Sequence, residues 1–267
     1  MTAESVVRFQ KTLELIQAYL TTIDNCDVTN LSIDIQSHIP PSIGLASSAA
    51  VFSGLAKAIA GLVEIPLTDE QISVMARLGS GSASRSIFGG YGAIRNEENM
   101  FIDGSKGWQI ADENHWKLHD IIIVPSTEEK KVGSTEGHAN AETSPHYKQR
   151  LSDIAKRRQK ECIDAIAHKD FEHLQTVAEQ DAMNMHLCMQ TQTPELNYLS
   201  DETHRIITEI QEIRTSEHLP VLYTMDAGPT VHLFCEEEAK ERILSYANEQ
   251  EGCQIFEAST GSGAHLI

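Results

Sequence analysis

Positive charge is scarce in this chain. Its 267 residues hold 21 Lys plus Arg against 39 Asp plus Glu, a formal net charge of -18 at pH 7 with histidine neutral. No long basic run interrupts that acidity, so binding along a nucleic-acid backbone, which needs a positive face, is excluded as a main function. Any anion must be met by a local Arg or Lys. Paired cysteines are missing too. Cys26, Cys162, Cys188, Cys235 and Cys253 are odd in number, far apart and without a CxxC pair, which reads as reduced thiols of a cytoplasmic protein, mostly small core residues. The twelve histidines include no HExxH. Only His115 and His119 stand four apart, at the expected start of a strand, and no metal ligand is assigned. The longest apolar stretch, Ala49 to Val63, is broken by Ser53 and Lys57 and is too short to span a bilayer, so no membrane partner is expected. Met1 to Gln10 lacks the apolar region of a signal peptide. With 40% hydrophobic residues the chain can build a real core, in one large domain or two smaller ones.

What is present begins with Ile39 to Ala50, a loop of turn formers and hydroxyls that runs straight into an apolar helix. Upstream, Leu31, Ile33 and Ile35 alternate with polar residues and predict a half-buried strand. A strand, a Gly/Ser turn and a helix in that order leave backbone N–H groups unpaired at the helix start, backed by the positive end of the helix dipole. A phosphate fits there. The structural alternative is that Ser47 or Ser48 is simply an N-cap, with Pro40 and Pro41 ending the strand and Gly44 serving a tight turn. No Gly-Lys-Ser/Thr follows the glycine, so this is not a Walker A loop.

Along the rest of the chain, periodicity predicts a first helix capped by Thr2 and running to about Thr21, then a turn over Asp24 to Asn30. Thr68 and Gln71 form a capping box for a helix through Met75. Gly79 to Gly90 has the composition of a flexible linker, yet it carries Arg85, Ile87 and Phe88 directly into a strand-like Tyr91 to Ile94. Gly and Ser that admit a ligand to the backbone, with one guanidinium among them, suit bidentate capture of a carboxylate or phosphate. Leu118 to Pro125 predicts an apolar strand, Lys130 to Gly137 a polar loop, and Ser144-Pro145 the N-cap and first residue of a helix. Helices follow from about Phe171 to Met189 and from Asp201 to Arg214. Strands at Val221 to Met225, Thr230 to Cys235 and Gln254 to Ala258 surround a helix at Glu236 to Asn248. Strands and helices come in groups rather than strict βα units, which predicts α+β. Between two strands, Asp226-Ala227-Gly228-Pro229 reads as a β-turn, or as a carboxylate held on a rigid turn where it accepts a proton or orients a hydroxyl.

Taken in order, the loop around Gly44-Leu45-Ala46-Ser47-Ser48 resembles the ATP-phosphate motif of the GHMP kinase superfamily. The Gly79 to Gly90 loop and the Met225 to Val231 turn are similar to those of the mevalonate diphosphate decarboxylase family within it. Weaker similarity appears at Lys131 to Gly137, Ser144-Pro145 and Met185-His186. The resemblance implies a GHMP kinase-like, two-lobed α+β fold with antiparallel or mixed sheets covered by helices and a cleft between lobes. Residues 1–117 would form the lobe with the ATP and Ser/Arg loops, and residues 118–267 the lobe with the Asp turn. It implies ATP-dependent decarboxylation of mevalonate 5-diphosphate to isopentenyl diphosphate, with ATP and Mg²⁺ required. Gly44, Leu45, Ala46, Ser47 and Ser48 would line the ATP phosphates. Ser80, Ser82 and Arg85 would bind substrate, Arg85 holding its carboxylate, and Asp226 would face the 3-hydroxyl. Partners would be the phosphorylated mevalonate and ATP, with a homodimer fitting the family.

One departure from the family is large. Its members begin with a strand-rich segment that contacts the substrate diphosphate and part of the nucleotide, and nothing like it precedes Met1. Met1 is then an internal residue of a longer product, or the chain is a truncated enzyme. Alternative readings are a mevalonate 5-phosphate decarboxylase, a mevalonate 3-kinase, or a non-catalytic remnant that only binds ligand.

Overall fold

Apolar residues at helical spacing organise the first part of the chain. The computed structural model describes residues 3–24, 28, 31–39, 43–96, 101–125 and 134–267. Two compact units emerge: Met1–Pro40, Ala46–His115 and Gly261–Ile267 make the first, Pro41–Leu45 and Trp116–Thr260 the second. In the first unit, α1 (Ala3–Ile23), α2 (Ser47–Leu62) and α3 (Asp69–Gly79) pack their apolar faces together. Ile16 and Leu20 of α1, Phe52, Ala56 and Ile59 of α2, and Val74, Met75 and Ala76 of α3 are buried in one cluster. Helix α3 opens with the expected capping box between Thr68 and Gln71. Its end is Gly79 because a Cβ there would lie 2.1 Å from the Phe52 ring. A short 3₁₀ turn (Gly81–Ile87) and an antiparallel pair, β1 (Tyr91–Asn96) and β2 (Ser105–Ala111), complete the unit.

The second unit is built on a four-stranded antiparallel sheet in the order β4-β5-β3-β6, with β3 (His119–Val124), β4 (Val221–Thr224), β5 (Val231–Cys235) and β6 (Gln254–Ser259). Alternation divides its two faces. Ile121, Ile123, Val231, Leu233 and Cys235 face a core shared with Ile206 and Ile210 of α8 (Asp201–Glu217) and Ile243 of α9 (Glu237–Asn248). Ile122, Val124 and Phe256 lie on the opposite face, where Ile43 and Leu45 pack against them. Helix α4 (Ser134–Ala139) precedes a long helical run in which α5 (Tyr147–Asp153) and α6 (Gln159–His168) are joined by a π-turn over Ile154–Arg158, and α7 (Phe171–Thr191) follows. The α+β architecture is as expected. Among the described residues, no helix is long and apolar enough to cross a membrane.

Several local expectations are corrected. Residues 31–36 keep their alternating burial but form no strand, because among the described residues none pairs with them. The Gly79 to Gly90 segment, as its Arg85, Ile87 and Phe88 imply, is not a linker. It winds into the 3₁₀ turn, burying Ala83, Ser84 and Ile87. Part of the expected polar loop is helix α4, while Lys130 to Gly133 lie outside the described residues, as do Thr2, Cys26, Pro40 and Pro41. Ser144 does not cap a helix at residue 145. The helix starts at Tyr147, and the Ser144 hydroxyl instead accepts from the His146 N–H at 3.2 Å and meets Thr191 Oγ1 at 2.8 Å.

Candidate active site

In the first unit, the start of α2 is unusual for a helix beginning Ser-Ser. The N-cap is Ala46, in the left-handed region at φ 47°, and no side chain caps it. Ser47 and Ser48 therefore sit inside the first turn rather than acting as caps, contrary to the structural alternative. The first helical bonds run from Ala49 N and Ala50 N to the Ala46 carbonyl. Among the described residues the N–H groups of Ser47 and Ser48 find no acceptor. Free N–H groups at the positive end of a sixteen-residue helix are the elements of an anion site.

A short chain of hydroxyls then links the two candidate loops. Ser48 Oγ lies 3.1 Å from Ser80 Oγ, and Ser80 Oγ lies 3.4 Å from Ser82 Oγ. Ser80 reaches Ser48 because it closes α3, which packs against α2 through the Gly79–Phe52 contact. Arg85 follows on the 3₁₀ turn and is exposed. Its guanidinium makes no hydrogen bond or ion pair among the described residues. Every other arginine is engaged: Arg8 and Arg77 donate to main-chain carbonyls, and Arg95, Arg150, Arg157, Arg158, Arg205, Arg214 and Arg242 pair with carboxylates. An unengaged guanidinium is available to an anionic ligand.

In the second unit, Gly44 has φ +96°, and a Cβ there would lie 2.8 Å from the Thr230 Cβ. Only glycine suits both the backbone and the space. The Thr230 hydroxyl donates to the Ile43 carbonyl, so the residues after the Asp226 turn hold the residues before α2. Asp226 is exposed between buried Met225 and Ala227. Its turn is closed by a bond from Gly228 N to the Asp226 carbonyl at 2.8 Å, and Thr203 Oγ1 donates to the Pro229 carbonyl at 2.8 Å.

Sequence reasoning missed the imidazoles around that turn. His186 of α7 is 1% exposed, and among the described residues neither ring nitrogen has a hydrogen bond of normal geometry. Burial pushes it down to about 4. The Asp226 carbonyl and carboxylate pull the other way, and His138 and Arg150 add to the depression. His186 is thus neutral beside a carboxylate. His232 of β5 sits with Asp120 of β3, Nδ1 to Oδ2 at 2.9 Å, and its Nε2 lies 3.3 Å from the Gly44 carbonyl. In the sequence only the Met185-His186 similarity flags His186, and no local pattern flags His232. The histidines that spacing did single out are otherwise engaged: His115 stacks edge-on with Tyr91, and His119 meets Glu237 Oε2 at 3.0 Å.

Residues 120–260 match the family described as mevalonate 5-diphosphate decarboxylase C-terminal domain, and residues 1–106 match the diphosphomevalonate decarboxylase-like N-terminal domain. The chain belongs to the mevalonate diphosphate decarboxylase family. Diphosphomevalonate decarboxylase of Debaryomyces hansenii is 34% identical over 212 residues, covering 78% of this chain and 55% of the relative. The crystal structure of mevalonate diphosphate decarboxylase from Staphylococcus aureus superposes with a TM-score of 0.83 at 28% identity, over 99% of this chain and 78% of that one. A further decarboxylase structure of this family, described as "MDDEF in complex with MVAPP, AMPPCP and Magnesium", gives 0.81 at 27% identity, over 98% and 79%. The GHMP kinase-like fold expected from the motifs is therefore the fold of this decarboxylase family. The chain spans little more than half the length of the curated relative.

Proposed function

We propose that this chain carries out the ATP-dependent decarboxylation of mevalonate 5-diphosphate to isopentenyl diphosphate, releasing ADP, phosphate and CO₂. The observation that carries the reading is Arg85. A solitary unengaged guanidinium, on a turn whose Ser80 and Ser82 hydroxyls run on to Ser48, suits a substrate with a carboxylate beside a reacting phosphate. The family relation and the uncapped α2 support the same reading. Gly44 to Ser48 would take the ATP phosphates. Among the described residues no group of three or more His, Cys, Asp or Glu could hold a metal ion, and Mg²⁺ bound together with ATP would supply charge neutralisation for the phosphates.

Asp226 would orient the tertiary 3-hydroxyl toward the γ-phosphorus. A carboxylate is a poor base for an alcohol, so it would receive the proton late, as the O–P bond forms. Phosphoryl transfer of this loose kind asks mainly for positioning and charge stabilisation. The C–O bond to the transferred phosphate then breaks, the carboxylate leaves as CO₂, and the electron pair of the broken C–C bond becomes the double bond. Arg85 would align the carboxylate with the departing phosphate.

The test is turnover by the purified chain with Mg²⁺–ATP and a panel of mevalonate, its 5-phosphate and its 5-diphosphate, following CO₂ and phosphate. CO₂ is expected from the diphosphate alone. Asp226→Asn should lose about a thousandfold or more in turnover while still binding a non-hydrolysable ATP analogue. Arg85→Lys should fail too, because a point charge cannot hold a carboxylate bidentately. Wild-type-like product formation by Asp226→Asn would remove that residue from the mechanism. Consumption of ATP without CO₂ would make the chain a 3-kinase.

A further inference from the structure

Three features outside the proposed chemistry stand out: the apolar residues exposed on the first unit, the double-arginine cluster around Asp181, and the Asp120–His232 pair. Val7 and Leu62 are exposed, but nothing indicates what would cover them. Arg150 and Arg158 converge on Asp181 and the Asn184 amide oxygen, and that cluster balances its charge internally, with only the buried Arg158 Nε left unpartnered in it among the described residues. The Asp120–His232 pair differs, because it joins the reacting turn's strand to the phosphate loop.

We propose that His232 is a positioning residue, a protonated imidazole that clasps the Gly44 carbonyl and thereby fixes the phosphate loop in its nucleotide-binding conformation. The inference rests on the proposed nucleotide role of Gly44 to Ser48. It is read from geometry. Nδ1 faces a carboxylate oxygen of Asp120 at 2.9 Å and Nε2 faces the Gly44 carbonyl at 3.3 Å, and both of these are acceptors. A neutral imidazole carries one N–H and can serve only one of them, whereas the imidazolium serves both. The side chains are 14% and 13% exposed, so water does not readily replace a lost bond.

The surroundings favour that charge. His232 is on β5 opposite Thr224 of β4 and Ile122 of β3, neither of which titrates. Among the described residues the charged groups facing it are Asp120 of β3 and Asp226 of the turn after β4. Burial alone would lower its affinity for a proton, but the bond and charge of Asp120, the charge of Asp226 and the Gly44 carbonyl together raise it above the ordinary value. Asp120 keeps one buried oxygen, Oδ1, with no hydrogen-bond partner among the described residues, so His232 is the partner that its carboxyl group has there. The clasp also explains why a loop carbonyl can lie on this sheet face. Ile43 and Leu45 supply the apolar contact, while Thr230 and His232 take the two carbonyls between them.

The experiment uses the full chain labelled with ¹⁵N-histidine. Ring ¹⁵N shifts should show both His232 nitrogens protonated at pH 7. Amide exchange over residues 43–48 should speed up about tenfold or more when the ring is deprotonated at higher pH or replaced in His232→Gln, the value of one charge-assisted hydrogen bond. Affinity for the Mg²⁺ complex of a non-hydrolysable ATP analogue should fall by a similar factor with the same midpoint. In His232→Gln both should be independent of pH in that range. Asp120→Asn, nearly isosteric, should move the midpoint to lower pH, and it carries the test if His232→Gln does not fold. A neutral His232 at pH 7, or a His232→Gln loop with wild-type protection and wild-type pH profile, would overturn the clasp. Absence of nucleotide binding in the wild type would instead defeat the proposed function, leaving ring ionisation and loop exchange to decide the clasp.

Discussion

A buried imidazole with no good hydrogen bond is costly to charge, and at His186 that cost becomes a stability term. Its folded value, about 4, lies below the ordinary 6.5. The folded chain therefore binds this proton less readily than the unfolded chain. The stabilisation is complete above about pH 6.5 and is lost as pH falls toward 4. At pH 4.5 the difference amounts to roughly 2–3 kcal/mol. Urea unfolding at pH 7 and pH 4.5 should thus show wild type losing about that much more than His186→Gln, which has nothing to protonate. Parallel losses in the two proteins would mean that His186 takes up its proton in the fold as readily as in the unfolded chain, and that the acid-labile group lies elsewhere. The same neutrality serves the proposed chemistry, since an uncharged ring leaves the Asp226 carboxylate without a fixed cation from α7.

Helices α7 and α8 are tied to strand β4 by one buried ion pair. Arg214 Nη1 meets Glu179 Oε1 at 2.5 Å and the Val221 carbonyl at 3.0 Å, while Tyr223 N donates to the same Glu179 oxygen at 3.2 Å. Glu179→Ala removes one partner and strands the other, so it should cost about 3 kcal/mol in urea unfolding, with part recovered in the Glu179→Ala, Arg214→Leu double variant. A loss below about 1 kcal/mol would show that the tie is solvent-like. This bond illustrates what sequence periodicity conveys and what it does not. The apolar spacing of α2, α3, α8 and α9 and the alternation of β5 mark those elements because one face of each must be buried, and the continuous apolar run of β3 marks a strand buried on both faces. Strand β2 escapes that logic. Its buried position is Gly107, whose N–H donates to Ser73 Oγ at 2.8 Å, so the strand is recorded in a hydrogen bond rather than in hydrophobicity. Residues 31–36 show the converse, an alternating pattern without a pairing partner among the described residues.

At the level of the whole chain, three loops drew attention by composition, but Gly, Ser and Asp are also ordinary turn residues, and it was the order of the three loops that resembled the family. The link between Ser48 and Ser80, and the clasp from His232 to Gly44, remained invisible because they depend on contacts 32 and 188 residues apart in sequence. Net charge makes one further demand. Both proposed substrates are polyanions approaching a chain of formal charge -18, and the groups offered to them are a helix N-terminus and one guanidinium, all short-ranged. At about 0.01 M salt the Debye length is near 30 Å and the whole acidic surface repels the ligand, whereas at about 0.15 M it is near 8 Å and only the local donors are felt. The association rate of Mg²⁺-bound ATP analogue, measured by stopped flow at constant free Mg²⁺, should therefore rise about threefold between those salt concentrations. A tenfold fall would mean that a positive field outweighs the net charge, and that cationic groups beyond Arg85 recruit the nucleotide.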